Sequence, residues 1–237
     1  MVAIFQYHPD VIASYPDIIG GVILAEGLSK SHTPDELLRA YLDEQESVLA
    51  RIGSTPLSEI ESINAWRRAF RAFGANPTKY RSAAEALLRR LTKKGNIPSI
   101  TGLVDMANLV SIRYALPVAA FNTQSVEGAI TVHYADGSER FTPLGQEEAE
   151  HPAEGEVVFS DENRLVVARR WCWRQSAESA AGPDTTRAVI TVEAQHPDGR
   201  RDVEQAVGDL LGLLGAHFRG SHQSAILDAS SPVFRTT

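Results

Sequence analysis

The chain has 237 residues, of which 43% are hydrophobic and 22% charged, so it can bury a core as one large domain or two small lobes. Its formal net charge of -7 argues against broad gripping of a polyphosphate backbone and against duplex DNA. Contact with one RNA end stays open, because a local basic patch can sit on an acidic protein. One cysteine, Cys172, rules out an intrachain disulfide and suits a reducing, cytoplasmic setting. The opening MVAIFQYHPDVI lacks the pattern of a signal peptide. No apolar run reaches the ~18 residues of a membrane span.

In chain order, residues 3–7 and 18–25 are short Ile/Val-rich runs and predict an early strand pair. Gly20-Gly21 lies in the second run without a phosphate-loop pattern, so it reads as a bulge or a close backbone approach. Three helices are expected next. Thr33-Pro34 with Glu36 starts the first, which runs to about Arg51. Ser58 with Glu61 starts the second, with Ile60, Ile63, Trp66 and Phe70 at helical spacing. Ser82 with Glu85 starts the third, with Ala86, Leu87 and Leu91 expected inward. Arg89, Arg90, Lys93 and Lys94 complement the dipole at its far end. A fourth helix is expected from Leu103 to Tyr114, ahead of Leu116-Pro117.

Strands are predicted at 129–134, 139–142, 156–159, 164–173 and 187–193, with Asp136-Gly137 marking a hairpin. A closing amphipathic helix spans 202–218, and the tail from Gly220 is expected to be loosely ordered. Helices first and strands later predict an α+β fold, with N-terminal helices packed on a mixed or antiparallel sheet. The expected layout is one domain over 1–219 and a flexible tail over 220–237. Within the domain, the helical part covers about 30–115, the strand-rich part 118–194 and the closing helix 202–218.

Standard catalytic sets are missing. The histidines, at 8, 32, 133, 151, 196, 217 and 222, form no HExxH pair or close cluster with cysteine, so no metal or other cofactor is expected. Cys172 has no adjacent base and reads as a small apolar side chain. The unusual segment is ARRWCWRQ, 168–175. As a strand it puts Arg169, Trp171, Trp173 and Gln175 on one face and Arg170, Cys172 and Arg174 on the other. It reads either as a half-buried structural strand or as a pocket wall. In the second reading, indoles offer stacking surface and guanidinium groups offer donors for a carboxylate or phosphate. Asn108, the loop 120–122 containing Phe121 and Asn122, and the polar segment from Glu178 to Thr186 are the other candidates.

Several separated segments resemble one family. LVDMANLVSIRYALPVAAFN (103–122), VEGAITVHYADGSERFTPLG (126–145), EVVFSDENRLVVARR (156–170) and DTTRAVITVEA (184–194) are similar in order and spacing to the editing domain of the phenylalanyl-tRNA synthetase β subunit. WRRAFRAFGANPTKYRSAAEALLRR (66–90) is similar to single-domain relatives of that module. The resemblance implies the fold of that domain. It also implies hydrolysis of a mischarged aminoacyl-tRNA in trans by a freestanding protein, and no ligase activity.

Residue by residue, the family's VDxTN falls on Val104 to Asn108, keeping Asn108 but placing Ala107 at the threonine. PxHAFD falls on Pro117 to Asn122, with Ala119 at the histidine and Asn122 at the aspartate. The glycine-rich segment ending in GGE falls on the Trp-rich run, where Arg169, Cys172 and Trp173 replace glycines. Its glutamate falls on Arg174 or Glu178. The threonine of DETxN matches Thr186. The resemblance implies tyrosyl-tRNA as the ester cleaved, and these departures count against it and leave a smaller or different aminoacyl ester. The expected catalytic candidates are Asn108, Arg174, Gln175, Glu178 and Thr186. The expected substrate contacts are Asn108, Phe121, Asn122, Arg170, Trp171, Trp173, Arg174, Gln175 and Thr186. A tRNA 3′ end or aminoacyl ester is one expected partner. A non-catalytic binding module for an amino acid, a small metabolite or an RNA 3′ end is the alternative.

Overall fold

A computed structural model describes residues 2–29 and 33–236. In chain order the elements are β1 (Val2–Tyr7), α1 (Pro9–Ser14), β2 (Ile19–Glu26), α2 (Asp35–Ile52), α3 (Glu61–Ala72), α4 (Ala83–Lys94), α5 (Gly102–Tyr114) and β3 (Val118–Asn122). There follow β4 (Ile130–Tyr134), β5 (Val157–Ser160), β6 (Val166–Arg169), β7 (Arg174–Gln175), β8 (Arg187–Ala194), α6 (Gly199–His217), β9 (Ser221–Leu227) and β10 (Val233–Thr236). The fold is α+β.

The strands make two sheets. One runs β10-β1-β4-β5-β6-β7 and is antiparallel except for the parallel β1–β4 pair. The other runs β3-β8-β2-β9 and is antiparallel throughout. The strand period of two explains how the layers stack. Ile23, Ala25, Ile190 and Val192 pack on one face of the smaller sheet with Leu37 of α2, Leu109 of α5 and Val207 of α6. Their neighbours Val22, Leu24 and Val189 pack on the other face with Phe5, Phe159 and Trp171. The smaller sheet is therefore buried on both faces, with helices on one side and the larger sheet on the other. Alternation along β8 puts Thr191 and Glu193 in the layer between the sheets.

Local chemistry explains the helix ends. Ser82 Oγ accepts from Glu85 N at 3.3 Å at the start of α4, and Gly95 ends it at φ 78°. α5 ends on Ala115 at φ 53°, two residues before Pro117. The other two expected caps differ. Thr33 Oγ1 donates to Asp105 Oδ2 at 2.6 Å, so α2 starts after Pro34 without a side-chain cap. Ser58 sits in a 3-10 turn over Leu57–Glu59, and α3 starts after Ile60.

Further expectations are corrected. β1 and β2 are not paired; they belong to different sheets. Residues 139–142 form single bridges, Arg140 to Leu165 and Phe141 to Glu150, and no strand. The Asp136-Gly137 turn is closed by the Glu139 carboxylate, which accepts from both backbone amides at 3.0 Å. The antiparallel partner of β4 is β5. On α4, Ala84, Leu88 and Leu91 face inward, while Ala86 is exposed. The tail expected to be loose forms β9, registered along β2 from Glu26 to Gly20, and β10, paired to β1. β9 is an edge strand whose side chains are exposed or half-buried up to the buried Leu227, so it needs no continuous apolar pattern. Residues 30–32, the start of the expected helical part, lie outside the described residues.

The reading of Gly20-Gly21 as a close approach is resolved in detail. A Cβ on Gly20 would collide with the Tyr7 hydroxyl, and one on Gly21 with Val207 and, at 2.8 Å, with Val192. Gly21 thus lets α6 sit directly on β2. Gly21→Ala is expected to lower unfolding free energy by about 1–3 kcal/mol through overpacking, measured by urea denaturation.

Candidate functional site

β6 ends at Arg169, and the chain then turns back into β7, pairing Ala168 with Gln175 and Arg169 with Arg174. The turn is made by Arg170 and Trp171 in the left-handed region, at φ 47° and 59°. Neither residue type favours that conformation. Glu156 steadies the turn, taking Arg169 Nε at 2.8 Å and Arg170 N at 3.1 Å. Arg169 also pairs with Glu150. The expected strand alternation over 164–173 therefore stops at Arg169. Trp171 leaves the sheet surface and is fully buried, meeting Tyr15 and Trp66 edge-on at 4.9 and 5.3 Å between ring centroids.

This hairpin forms one wall of a cavity of about 490 Å³. α4 contributes Ala83, Ala86 and Leu87, α5 contributes Val104, Ala107 and Asn108, and the 117–121 segment forms another side. Its deep end is the layer between the sheets, where Phe159, Trp171, Thr191 and Glu193 lie. The surface is largely apolar, with a few polar groups.

Of the residues proposed from sequence, Asn108, Phe121, Trp171, Trp173, Arg174 and Gln175 line this cavity. Gln175 Nε2 donates to Ala120 O at 3.2 Å, tying the hairpin to β3 across it. Arg174 is exposed, its guanidinium 4.6 Å from the Trp173 ring centroid. Four others lie outside the lining. Arg170 is held by Glu156 at 3.5 Å and lies 3.9 Å from the Tyr80 ring centroid. Asn122 Oδ1 accepts from Gln124 N at 3.1 Å and serves its own loop. Glu178 pairs with Arg140 at 2.6 Å, which holds its carboxyl below the usual range. Thr186 precedes β8, and its carbonyl accepts from Leu28 N at 2.9 Å.

The strongest polar feature of the cavity was not singled out from sequence. Glu193 is 2% exposed. Its Oε1 accepts from Tyr7 Oη at 2.7 Å and from Trp171 Nε1 at 3.1 Å. Burial pushes the carboxyl up to about 7, and the two hydrogen bonds pull partly the other way. Tyr7 in turn is raised by its own burial and by Glu193. A lone carboxylate in the apolar run of β8 was the available signal, since an unpaired charge is costly to bury. Cys172 also lines the cavity, and burial pushes its thiol up, which makes it a poor nucleophile. Among the described residues, no group of three or more His, Cys, Asp or Glu is placed to hold a metal ion; His32 lies outside them. Among the same residues, no helix is long and apolar enough to cross a membrane.

A sheet buried on both faces, with a cavity between it, the β6–β7 turn and the helices α4 and α5, defines an α+β domain with an internal pocket. The B3/4 domain family matches residues 65–207, and the chain belongs to that family. Its relatives include phenylalanine–tRNA ligase β subunits. That of Shewanella oneidensis is 26% identical over 110 residues, covering 46% of this chain and 13% of that protein. That of Photorhabdus laumondii is 31% identical over 87 residues, covering 37% and 11%. The chain thus spans a small part of the length of these relatives. An N-terminal fragment of the phenylalanyl-tRNA synthetase β-subunit from Pyrococcus horikoshii superposes with a TM-score of 0.47 and 13% identity, covering 95% of this chain and 50% of that one.

Glu193 has a measurable signature. Its folded value is above its ordinary 4.5, so the folded state holds the proton more tightly than the unfolded chain. Its contribution is full below about 4.5, falls as pH rises, and levels off above about 7. The stability of the native protein relative to Glu193→Gln should therefore fall across that window by up to about 1.4 kcal/mol per pH unit. Urea titrations at several pH values check this; a pH-independent difference would contradict it.

Proposed function

We propose that the cavity receives the aminoacyl group of an aminoacyl-tRNA, and that the protein hydrolyses that ester in trans. The observation that carries this reading is the pocket itself: an apolar chamber of about 490 Å³ with one buried carboxyl at its deep end, in a B3/4 domain. An amino-acid side chain fits such a chamber, and a few placed polar groups orient it. Glu193 Oε1 is already engaged, while Oε2 accepts nothing from the described residues and is the acceptor left for a ligand. Asn108 and Gln175 supply half-buried side-chain amides to the lining, and Arg174 supplies an exposed cation. With no activated nucleophile in the lining, ester cleavage here rests on a positioned water. Ala119 and Asn122 stand where the related synthetase domain carries a histidine and an aspartate, so the ester is not expected to be tyrosyl-tRNA.

A second reading has its own support. Among the described residues of the lining, the one carboxyl, Glu193, is engaged by Tyr7 and Trp171, and burial pushes the Cys172 thiol up, so neither stands as a free base. That pattern suits a binding module for a free amino acid or small metabolite.

Incubation with a panel of mischarged tRNAs separates the two. Hydrolysis above the buffer rate for at least one supports the first reading. No hydrolysis of any, with thermal stabilisation by a free amino acid, supports the second. Ala86→Trp places an indole at the exposed mouth without touching the core. It is expected to lower kcat/KM roughly tenfold or more while leaving the melting temperature nearly unchanged.

A further inference from the structure

The helix that walls the pocket has a second, charged face. Arg81 precedes α4, and Glu85, Arg89 and Lys93 follow it at intervals of four residues. Glu85, Arg89 and Lys93 share one side of the helix and span about 12 Å at 1.5 Å per residue, with Arg81 just before its start. That side lines a separate cleft of about 480 Å³, to which α3 contributes Arg67. The pocket-lining residues Ala83, Ala86 and Leu87 lie on another side of the same helix.

Four cations meet one carboxylate in this cleft. Glu85 is buried and bonded to Arg67 at 2.6 Å, with Arg81 at 3.7 Å. It fixes two guanidinium groups and leaves the other two cations uncompensated. Elsewhere among the described residues several arginines find carboxylates, Arg113 with Glu44, Arg140 with Glu178 and Arg187 with Glu26, while Arg39, Arg51 and Arg68 bond to carbonyl oxygens. Among the described residues, no carboxylate pairs with Arg89, Arg90, Lys93 or Lys94. The helix dipole accounts for cations in the last turn of α4. It does not account for Arg67 and Arg81, which come from outside that turn into the same concave site.

We propose that this cleft holds the phosphate backbone of an RNA strand, with Arg67, Arg81, Arg89 and Lys93 as its contacts. The inference rests on the aminoacyl-tRNA reading of the pocket and names how the tRNA is held. A helix is about 10 Å across, so a strand in the cleft has its end within reach of the pocket on the other side of α4. Charge complementarity selects the occupant: phosphates replace condensed counterions, and the concave shape suits a strand.

The test is fluorescence anisotropy with uncharged tRNA over a salt series, on the full chain. Arg89→Glu with Lys93→Glu is expected to weaken binding by about tenfold or more and to make the log–log salt slope shallower by about two. The charge-keeping pair Arg89→Lys with Lys93→Arg is expected to bind within a few-fold of the native protein. Thermal melts show that both variants fold. Unchanged affinity and slope in the reversed variant would overturn the proposal, as would tighter binding to anionic lipid vesicles than to tRNA. The pocket is read apart from the cleft by hydrolysis of a 3′-aminoacyl-adenosine, which is too short to reach the cleft. If the native protein leaves that ester intact while the tRNA affinity depends on Arg89 and Lys93, the deacylase reading fails and the cleft stands.

Discussion

The carboxyl of Glu193 sits between two sheets, and three distant stretches of chain are arranged around it. β8 carries it, β1 supplies the Tyr7 hydroxyl, and the β6–β7 turn supplies the Trp171 indole. An ionised carboxylate in such a layer costs several kcal/mol unless it is hydrogen-bonded. Two neutral donors meet part of that cost, and a value of about 7 is the balance that results. Moving any of the three stretches strands a polar atom in the core. The arrangement therefore fixes where β1 lies against the smaller sheet. β1 precedes residues 65–207, so the node joins the family-matched region to chain outside it.

The turn at Arg170 and Trp171 follows from the same constraint. Two consecutive left-handed residues without glycine cost roughly 2–4 kcal/mol together. Full burial of an indole returns about 4–6 kcal/mol at ~25 cal/mol per Å² over 150–250 Å². Burial outweighs the backbone strain, so the turn is held by the side chain it inserts. Trp171 thereby moves from the wall of the cavity to its deep end, while Cys172, Trp173 and Arg174 remain along the wall.

The legible parts of the sequence were those set by nearby residues. Ser82 caps α4, the apolar stripe from Val203 to Leu214 makes α6, and the apolar run before Glu193 makes β8. The unusual ARRWCWRQ segment and the resemblance together point to Asn108, Phe121, Trp173, Arg174 and Gln175, and they line one cavity. What was not legible depends on distant partners. Tyr7 and Glu193 are 186 positions apart, and nothing local to either announces the other. Arg170 and Glu178 looked like free functional groups because their carboxylate and guanidinium partners, Glu156 and Arg140, come from other strands and loops. The turn at 170–171 is hidden in the sequence because Arg170 and Trp171 carry none of the usual glycine or asparagine signals. β9 is hidden for another reason: an edge strand draws its order from backbone pairing, here with β2.

The pairing of β1 with β10 has a kinetic consequence. Val2 meets Thr236 and Gln6 meets Val233, so the larger sheet is closed by contacts spanning nearly the whole sequence. β2 and β9 do the same for the smaller sheet, from Gly20 with Leu227 to Glu26 with Ser221. Such contacts return energy only after a long loop has been closed, which places this fold among the slow, high-contact-order topologies. Until β9 docks, the edge of β2 is an unpaired strand rich in Val, Ile and Leu, so the partly folded chain is most open to self-association there.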